Sequence, residues 1–376
     1  MINTNNKSKA ISFLALAAVL ILLSIAIEWV SDNVRGMNML LVVATKGTAY
    51  SLIALSMNLL NGFTGLFSLG QSGFMLVGAY AYSILTIPVA KRAGVYQYYD
   101  GGVVQFSLPE IFSSFLGDMV GSTMGMCLSL VVGGLVCVLL AYLIGLPVLR
   151  LKSDYLAIAT LGFAEIMRAV IQYEGSAPLT NGSNTLRQYA KFDHLYAYVI
   201  VAIVCIGSII LLINSTYGRS FKAIRDDEIA AEAMGINLAK HKMMSFLISS
   251  FFAGIGGGLM AMYMSTVQAK GFTAAMTYEI LLIVVIGGIG SISGSILGTF
   301  LFVGCSEWWL RFLDDSSRNI GNMTLLGPGF RMVVFSVVIM IIVLFFPKGI
   351  MGENELSDVW KKLKRGIKKW VITYLK

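Results

Sequence analysis

The chain has 376 residues, 57% hydrophobic and 13% charged, with a net charge of +8 and a mean hydropathy of +0.78. A soluble domain carries about 25% charged residues, so a soluble enzyme is excluded and an all-α, polytopic integral membrane protein in a lipid bilayer is expected. The basic excess does not imply nucleic-acid binding, because the lysines and arginines gather at the ends of apolar runs, where membrane topology puts them.

Several apolar runs approach or exceed the ~20 residues that cross hydrocarbon. They predict spans near 11–30, 39–60, 72–90, 122–148, 154–173, 195–213, 243–266, 277–291, 295–312 and 329–346, about ten transmembrane helices, two of them short. The first run follows Lys7 and Lys9. It is longer than a signal-peptide core and lacks a small-x-small cleavage site before Glu28, so it reads as an uncleaved span. With Lys7 and Lys9 inside, alternation places Arg150 and Lys152, the segment 214–242 and the tail after Pro347 inside as well. These are the basic connections, as the positive-inside bias requires. Lys91 and Arg92 run against that bias, within a long external loop, 91–121. The same loop carries Tyr96, Tyr98 and Tyr99, which read as a belt at the membrane interface.

A glycine-rich break occurs twice. GFTGLFSLGQSGFML (62–76) matches GGIGSISGSILGTFL (287–301) without gaps at an offset of 225. Gly62 aligns with Gly287, Gly65 with Gly290, Ser68 with Ser293 and Gly73 with Gly298; Gly70, Gly288 and Gly294 lie in the same segments. Broken backbone at membrane depth survives only buried in protein or lining a wet cavity. The segments therefore mark a translocation path, close helix packing, or both. The predicted topology gives both breaks one orientation, whereas an inverted repeat needs opposite ones.

Intramembrane charges are few. Glu165 and Arg168 sit three residues apart on the fifth span and can pair on one face. They are either a functional site or a pair locking helices together. Lys46 reads as snorkelling to the headgroups, and Glu279 opens the short eighth span. Cys127, Cys137, Cys205 and Cys305 lie in or beside apolar runs without a CxxC pair, so they read as small packing residues, and no metal or cofactor is expected.

Between two spans, residues 219–242 form a dense charged segment, GRSFKAIRDDEIAAEAMGINLAKHK beginning at Gly218. Asp226 or Asp227 can cap a helix, Glu228–Met234 is strongly helix-forming, Gly235 fits a stop and Asn237 can cap the next helix. The result is a short helix tied tightly to two spans, suited to being pushed by another protein. Beyond a membrane domain over 1–352, the tail 353–376 sets Leu356, Val359, Trp360, Leu363, Ile367, Trp370 and Val371 against Lys361, Lys362, Lys364, Arg365, Lys368 and Lys369. That pattern predicts an amphipathic headgroup anchor.

Taken together, GFTGLFSLGQSGFMLVGAYAY, LRLKSDYLAIATLGFAEIMR, AIRDDEIAAEAMGIN, EILLIVVIGGIGSISGSILG and GPGFRMVVFSVVIMIIVLFFPKGIMG resemble the LivM-type permeases of branched-chain amino-acid ABC transporters, over about residues 39–352. The resemblance implies an importer subunit in the cell membrane that moves leucine, isoleucine and valine by ATP-driven alternating access. It implies a second, related permease, two cytoplasmic ATP-binding subunits and an extracytoplasmic substrate-binding protein. It also places the ATPase contact at the EAA-like stretch Arg225, Asp226, Asp227, Glu228, Ala230, Ala231, Glu232 and Gly235. The family's external NG segment maps to Thr180, Asn181 and Gly182. The resemblance leaves urea or short amides as the competing substrate, since related permeases carry them on similar sequences. The chain has no GxxxxGK[ST] element with which to hold ATP itself. That absence equally fits an ion-coupled secondary transporter, which needs a membrane-depth carboxylate or histidine relay; His194 and His241 lie in predicted loops. A membrane subunit of a respiratory enzyme would need cofactor ligands or a row of proton-relay residues, and neither pattern is visible.

Overall fold

A computed structural model describes residues 3–310 except 35, 36, 100 and 152, together with scattered residues between 333 and 355. In hydrocarbon every backbone N–H and C=O must find a partner within the protein, and the helix supplies one locally. The long apolar runs accordingly become helices: α1 (Asn3–Asn33), α2 (Asn38–Asn58), α3 (Gln71–Thr86), α4 (Val89–Val95), α5 (Leu108–Leu116), α6 (Asp118–Val148) and α7 (Ser153–Gln172). After them come α8 (Ala177–Thr180), α9 (Leu195–Asn214), α10 (Thr216–Asp226), α11 (Glu228–Ala233), α12 (Leu238–Met264), α13 (Ala274–Gly287) and α14 (Ile292–Gly304). Two π-helical turns, Leu59–Phe63 and Cys305–Trp309, prolong α2 and α14. A two-residue antiparallel ladder pairs Leu186 with Val267 and Arg187 with Thr266.

Among the described residues, helices occupy nine of the ten expected intervals. Five are long and apolar enough to cross a membrane alone, or six if α13 and α14, bent by 120°, count as one span. The interval 329–346 and the tail anchor fall almost wholly outside the described residues.

The centre is built from α2, α3, α6 and α12. Their packing is backbone on backbone, which only glycine permits. A Cβ at Gly78 of α3 would lie 2.1 Å from the Gly254 carbonyl oxygen of α12, and one at Gly257 would lie 2.1 Å from the Met75 carbonyl oxygen. Small residues that let helices approach this closely replace the hydrophobic drive that lipid removes. Hydroxyls add bonds onto α12: its Ser249 Oγ donates to the Ser56 carbonyl of α2 (2.6 Å), and Tyr189, from the segment before α9, donates to the Ala261 carbonyl (2.6 Å). Buried Cys137 packs against the same seam, its Sγ 3.2 Å from the Phe74 carbonyl. By contrast, α6 turns Leu135, Leu139 and Leu143 outward, as a lipid-facing flank would.

The long loop after α3 corrects two expectations. Arg92 is buried rather than topological: its guanidinium donates to the Ile84, Val104 and Phe106 carbonyls at 2.5–2.8 Å and so folds the loop around itself. Tyr96 is no belt residue either. Its ring is buried, its hydroxyl donates to the Leu179 carbonyl (3.0 Å), and burial pushes the phenol up to about 12. Tyr98 alone of the three is fully outside. Asn181, in the left-handed region at φ 62°, donates to the Val95 and Thr185 carbonyls, tying the segment 180–182 to this loop.

Because α3 and α12 touch through main chain, Gly257→Val should cost about 3 kcal/mol or more by overpacking and lower the melting temperature of the detergent-solubilised protein. Gly94→Ala, at a position with open space around it, should not lower it. An unaltered melting profile for Gly257→Val would contradict the close approach.

Candidate functional site

The charged connection between α9 and α12 folds into a stub with defined ends. Helix α10 is amphipathic and seats Phe221 and Ile224 in the core. Asp227 starts α11, its Oδ1 accepting from Ile229 N (2.9 Å) and Ala230 N (3.0 Å). Asp226 instead pairs with Arg225, whose Nε donates to Oδ1 at 3.0 Å. The stub stops at Gly235, where φ is +84°, a conformation glycine reaches without strain. Asn237 caps α12 through Lys240 N (2.9 Å), and Lys242 reaches back to Glu228 at 2.6 Å. Ala231 faces inward, whereas Ile229 and Met234 stand 82% and 83% exposed. Glu228, Ala230 and Glu232 are exposed as well. Two bare apolar side chains, Ile229 on the six-residue helix and Met234 just past its end, form a compact knob.

Both glycine breaks arrive at the base of this stub. Helix α2 with its π turn and helix α13 run toward it; α3 and α14 run away. The two turns therefore share one orientation and lie at one end of the bundle, the stub end. Gly65 and Gly290, aligned in sequence, both take left-handed backbone, with φ of 76° and 85°. Arg225 lies between them. A Cβ at Gly65 would sit 3.1 Å from Arg225 Cα and one at Gly290 3.1 Å from its Nη1, which also donates to the Gly62 carbonyl at 3.3 Å. The match holds at these glycines and then drifts, because α3 restarts after residues 64–70 but α14 after only 288–291.

Asn58 joins the two turns. Its Nδ2 donates to Ser291 O (2.9 Å) and Ser295 Oγ (2.7 Å), and its Oδ1 accepts from Gly290 N (2.9 Å). Fully buried and bonded at both ends of its amide, it satisfies backbone that the break had released. Side chains from three other helices hold the first turn. Thr160 Oγ1 accepts from Leu69 N (3.0 Å), Thr277 Oγ1 from Ser72 N (3.1 Å), and Ser245 meets Thr64 (2.6 Å). Ser68 N donates to Asn61 Oδ1 (3.2 Å), while Gly70 and Gly73 press on Thr160 and Ala164 of α7.

The second turn is closed from the far side of the sequence. Ile350 N donates to the Ile286 carbonyl (2.8 Å) and Met351 N to that of Gly287 (3.1 Å). Glu355 then caps α14: its carboxylate accepts from Ile292 N (2.8 Å), Ser293 N (3.1 Å) and Ser293 Oγ (2.5 Å), where a negative charge suits a helix start. Within the turn, Gly287 packs on Gly294 and on Gly298. Sequence reasoning missed Asn58 and Glu355. A lone amide in an apolar run was a visible signal; a glutamate 62 residues from its partner had none.

Elsewhere, Glu165 and Arg168 do meet on α7, partly exposed, and among the described residues their ion pair is with each other. Lys46 does not snorkel: its Nζ pairs with Glu307 at 2.5 Å, largely shielded, and lies 5.5 Å from the Tyr50 ring centroid.

Apolar helices packed through glycine, two same-sense glycine turns and a capped knob wedged on them define a multispan transport permease. The chain belongs to the family described as the permease component of branched-chain amino acid transport systems, whose profile matches residues 39–344. It is 30% identical to the LivM high-affinity branched-chain amino acid transport system permease protein of Salmonella typhimurium, covering 81% of this chain and 71% of that one. To LivM of Escherichia coli it is 28% identical with the same coverage. A probable LivH permease protein of Methanocaldococcus jannaschii is 26% identical over 84% of this chain and 90% of its own. No solved structure matches.

Removing the Asp227 cap tests whether the knob is a folded unit. Asp227→Ala should destabilise α11 by about 1 kcal/mol and speed amide exchange at Ile229 and Ala230 roughly fivefold, read by mass spectrometry. Unchanged exchange there would mean the cap does not hold the helix.

Proposed function

We propose that this chain is one of two permease subunits of an ABC importer that carries branched-chain amino acids across the cell membrane by ATP-driven alternating access. Its partners are a second, related permease, two cytoplasmic ATP-binding subunits and an extracytoplasmic binding protein that delivers the solute. In this reading the stub end and both termini are cytoplasmic, residues 1–352 form the permease, and the basic stretch 353–376 anchors in headgroups.

One observation supports this reading above the others: Arg225 connects the exposed α11 knob to both glycine turns. The knob, with Glu228, Ala230, Ala231, Glu232 and Gly235 around the protruding Ile229 and Met234, is the surface an ATPase would grip. Closure of the two ATPases displaces α11. The rigid caps at Asp227 and Asn237 pass that displacement to α10 and α12 instead of letting the loop absorb it. Through Arg225, α10 then moves the turns Gly62–Gly73 and Gly287–Gly298, and with them the tilt of α2, α3, α13 and α14. Glycine turns suit this role because their left-handed backbone can change without side chains colliding. Interfaces packed this closely switch between discrete arrangements rather than deforming continuously.

The test is uptake in cells carrying the complete system. Glu232→Lys, which reverses a charge on the knob, and Gly235→Pro, which cannot adopt φ +84°, should each leave the chain inserted at normal abundance and reduce leucine uptake at least tenfold. Cysteines at Ile229 and Met234 should crosslink to an ATP-hydrolysing chain. Normal uptake by both variants, with no such crosslink, would overturn the reading.

A further inference from the structure

The end of the bundle away from the stub carries charges that the mechanism above does not use. Helices α1 and α12 finish there, at Asn33 and Met264, and α2 and α9 begin there, at Asn38 and Leu195. Between these helices lies a cavity of about 410 Å³, lined by Glu28, Thr45, Tyr263, Lys191, Asp193 and His194. That volume falls within the roughly 300–1,000 Å³ of small-ligand sites. Along α2, Thr45 is roughly 20 Å from Asn58 at 1.5 Å per residue, so the cavity is well removed from the glycine turns.

The segment that brings in Lys191, Asp193 and His194 is held in place. Tyr189 donates to the Ala261 carbonyl of α12, and the ladder joins Leu186 and Arg187 to Val267 and Thr266. His194 Nδ1 lies 2.6 Å from Glu28 Oε1, which ties the start of α9 to α1. Within this frame Lys191 and Asp193 stay apart. Among the described residues Lys191 makes one long contact, 3.5 Å to Ser265 Oγ, and Asp193 enters no ion pair. An α-amino acid carries ammonium and carboxylate on one carbon. A site for it needs an anion and a cation near each other, not neutralised by each other, beside an apolar wall. Lys191 and Asp193, two residues apart and both exposed, supply the charges. Leu41, Val42, Phe192, Leu195 and Met262 supply the wall.

We propose that this cavity is the outer receiving site for a zwitterionic, aliphatic α-amino acid. Lys191, with three N–H donors, meets the carboxylate, Asp193 accepts from the ammonium, and the side chain lies on the wall of Leu41, Val42 and Met262. The site deepens the importer reading and takes its direction from it. Two of the walls, α2 and α12, are helices that the stub displaces, so closure of the ATPases reshapes the cavity that holds the solute.

The experiment places a cysteine in the cavity. The assembled transporter carrying Thr45→Cys is reconstituted in liposomes, with leucine in large excess over binding protein. Modification by a membrane-impermeant maleimide is read at that residue by mass spectrometry. Saturating leucine should slow it about tenfold, whereas isocaproate, which lacks the ammonium, and isoamylamine, which lacks the carboxylate, should not. Asp193→Asn and Lys191→Met, both at exposed positions, should each raise the leucine concentration for half-protection about tenfold, as loss of one charge-assisted hydrogen bond does. Lys191→Arg should recover most of it. Equal protection by the analogues, or leucine protection unaltered in both variants, would overturn the site. Protection by leucine-free binding protein alone would make the cavity a protein-docking face and overturn it too. So would failure to label both Thr45→Cys and Ser265→Cys, since the cavity would then not open to the outside. Labelling needs no ATP, so the two readings fail separately. ATP-driven leucine uptake without protection removes the site alone, and protection without such uptake removes the importer reading alone.

Discussion

Unsatisfied backbone is what a membrane tolerates least, and the whole stub end is organised around two places where helices stop short. Each break frees amides and carbonyls inside the helix bundle, away from water. The chain answers by closing the breaks on each other through Asn58, with Glu355 and the 350–351 main chain completing the second and Thr160, Ser245 and Thr277 the first. Once both turns must meet at one point, the orientation of α2, α3, α13 and α14 follows. So does the need for glycine where Gly62 touches the Gly290 amide.

That junction makes the position of Arg225 consequential. A cation at the last turn of α10 could have been a solvated cytosolic charge. Instead it donates to Gly62 and lies against Gly65 and Gly290. A six-residue knob with firm caps is thereby one side chain away from both glycine breaks. Force applied to α11 would have a short route into the bundle.

Much of this was legible in the sequence. The stub's caps, its glycine stop and the pairing of Gly65 with Gly290 follow from local chemistry that no packing overrides: an aspartate before a helix-forming run, a left-handed turn, a repeated spacing. The apolar runs predicted helices at the right intervals, since length and hydropathy alone decide that. What escaped notice depended on contacts between distant segments. Arg92 looked like a topological exception because two of its three carbonyl partners, Val104 and Phe106, are in a loop without a pattern. Tyr96 looked interfacial because composition cannot tell a buried ring from a wet one. Lys46 looked like a snorkelling lysine because Glu307 lies 261 residues away. The more exposed helices α6 and α9 are in fact more apolar in sequence than the buried α2 and α12, and the glycine contacts of α12 show which helices form the centre.

The central claim is that Arg225 makes the knob and the two turns one moving part. Phe67 and Ile289 are exposed positions on the first and second turns, so spin labels there report their separation directly by electron–electron double resonance. In the assembled transporter, nucleotide binding should shift that distance in the otherwise unmodified chain and leave it fixed when Arg225 is replaced by alanine. A distance that ignores nucleotide in both, or that shifts equally without Arg225, would contradict the account.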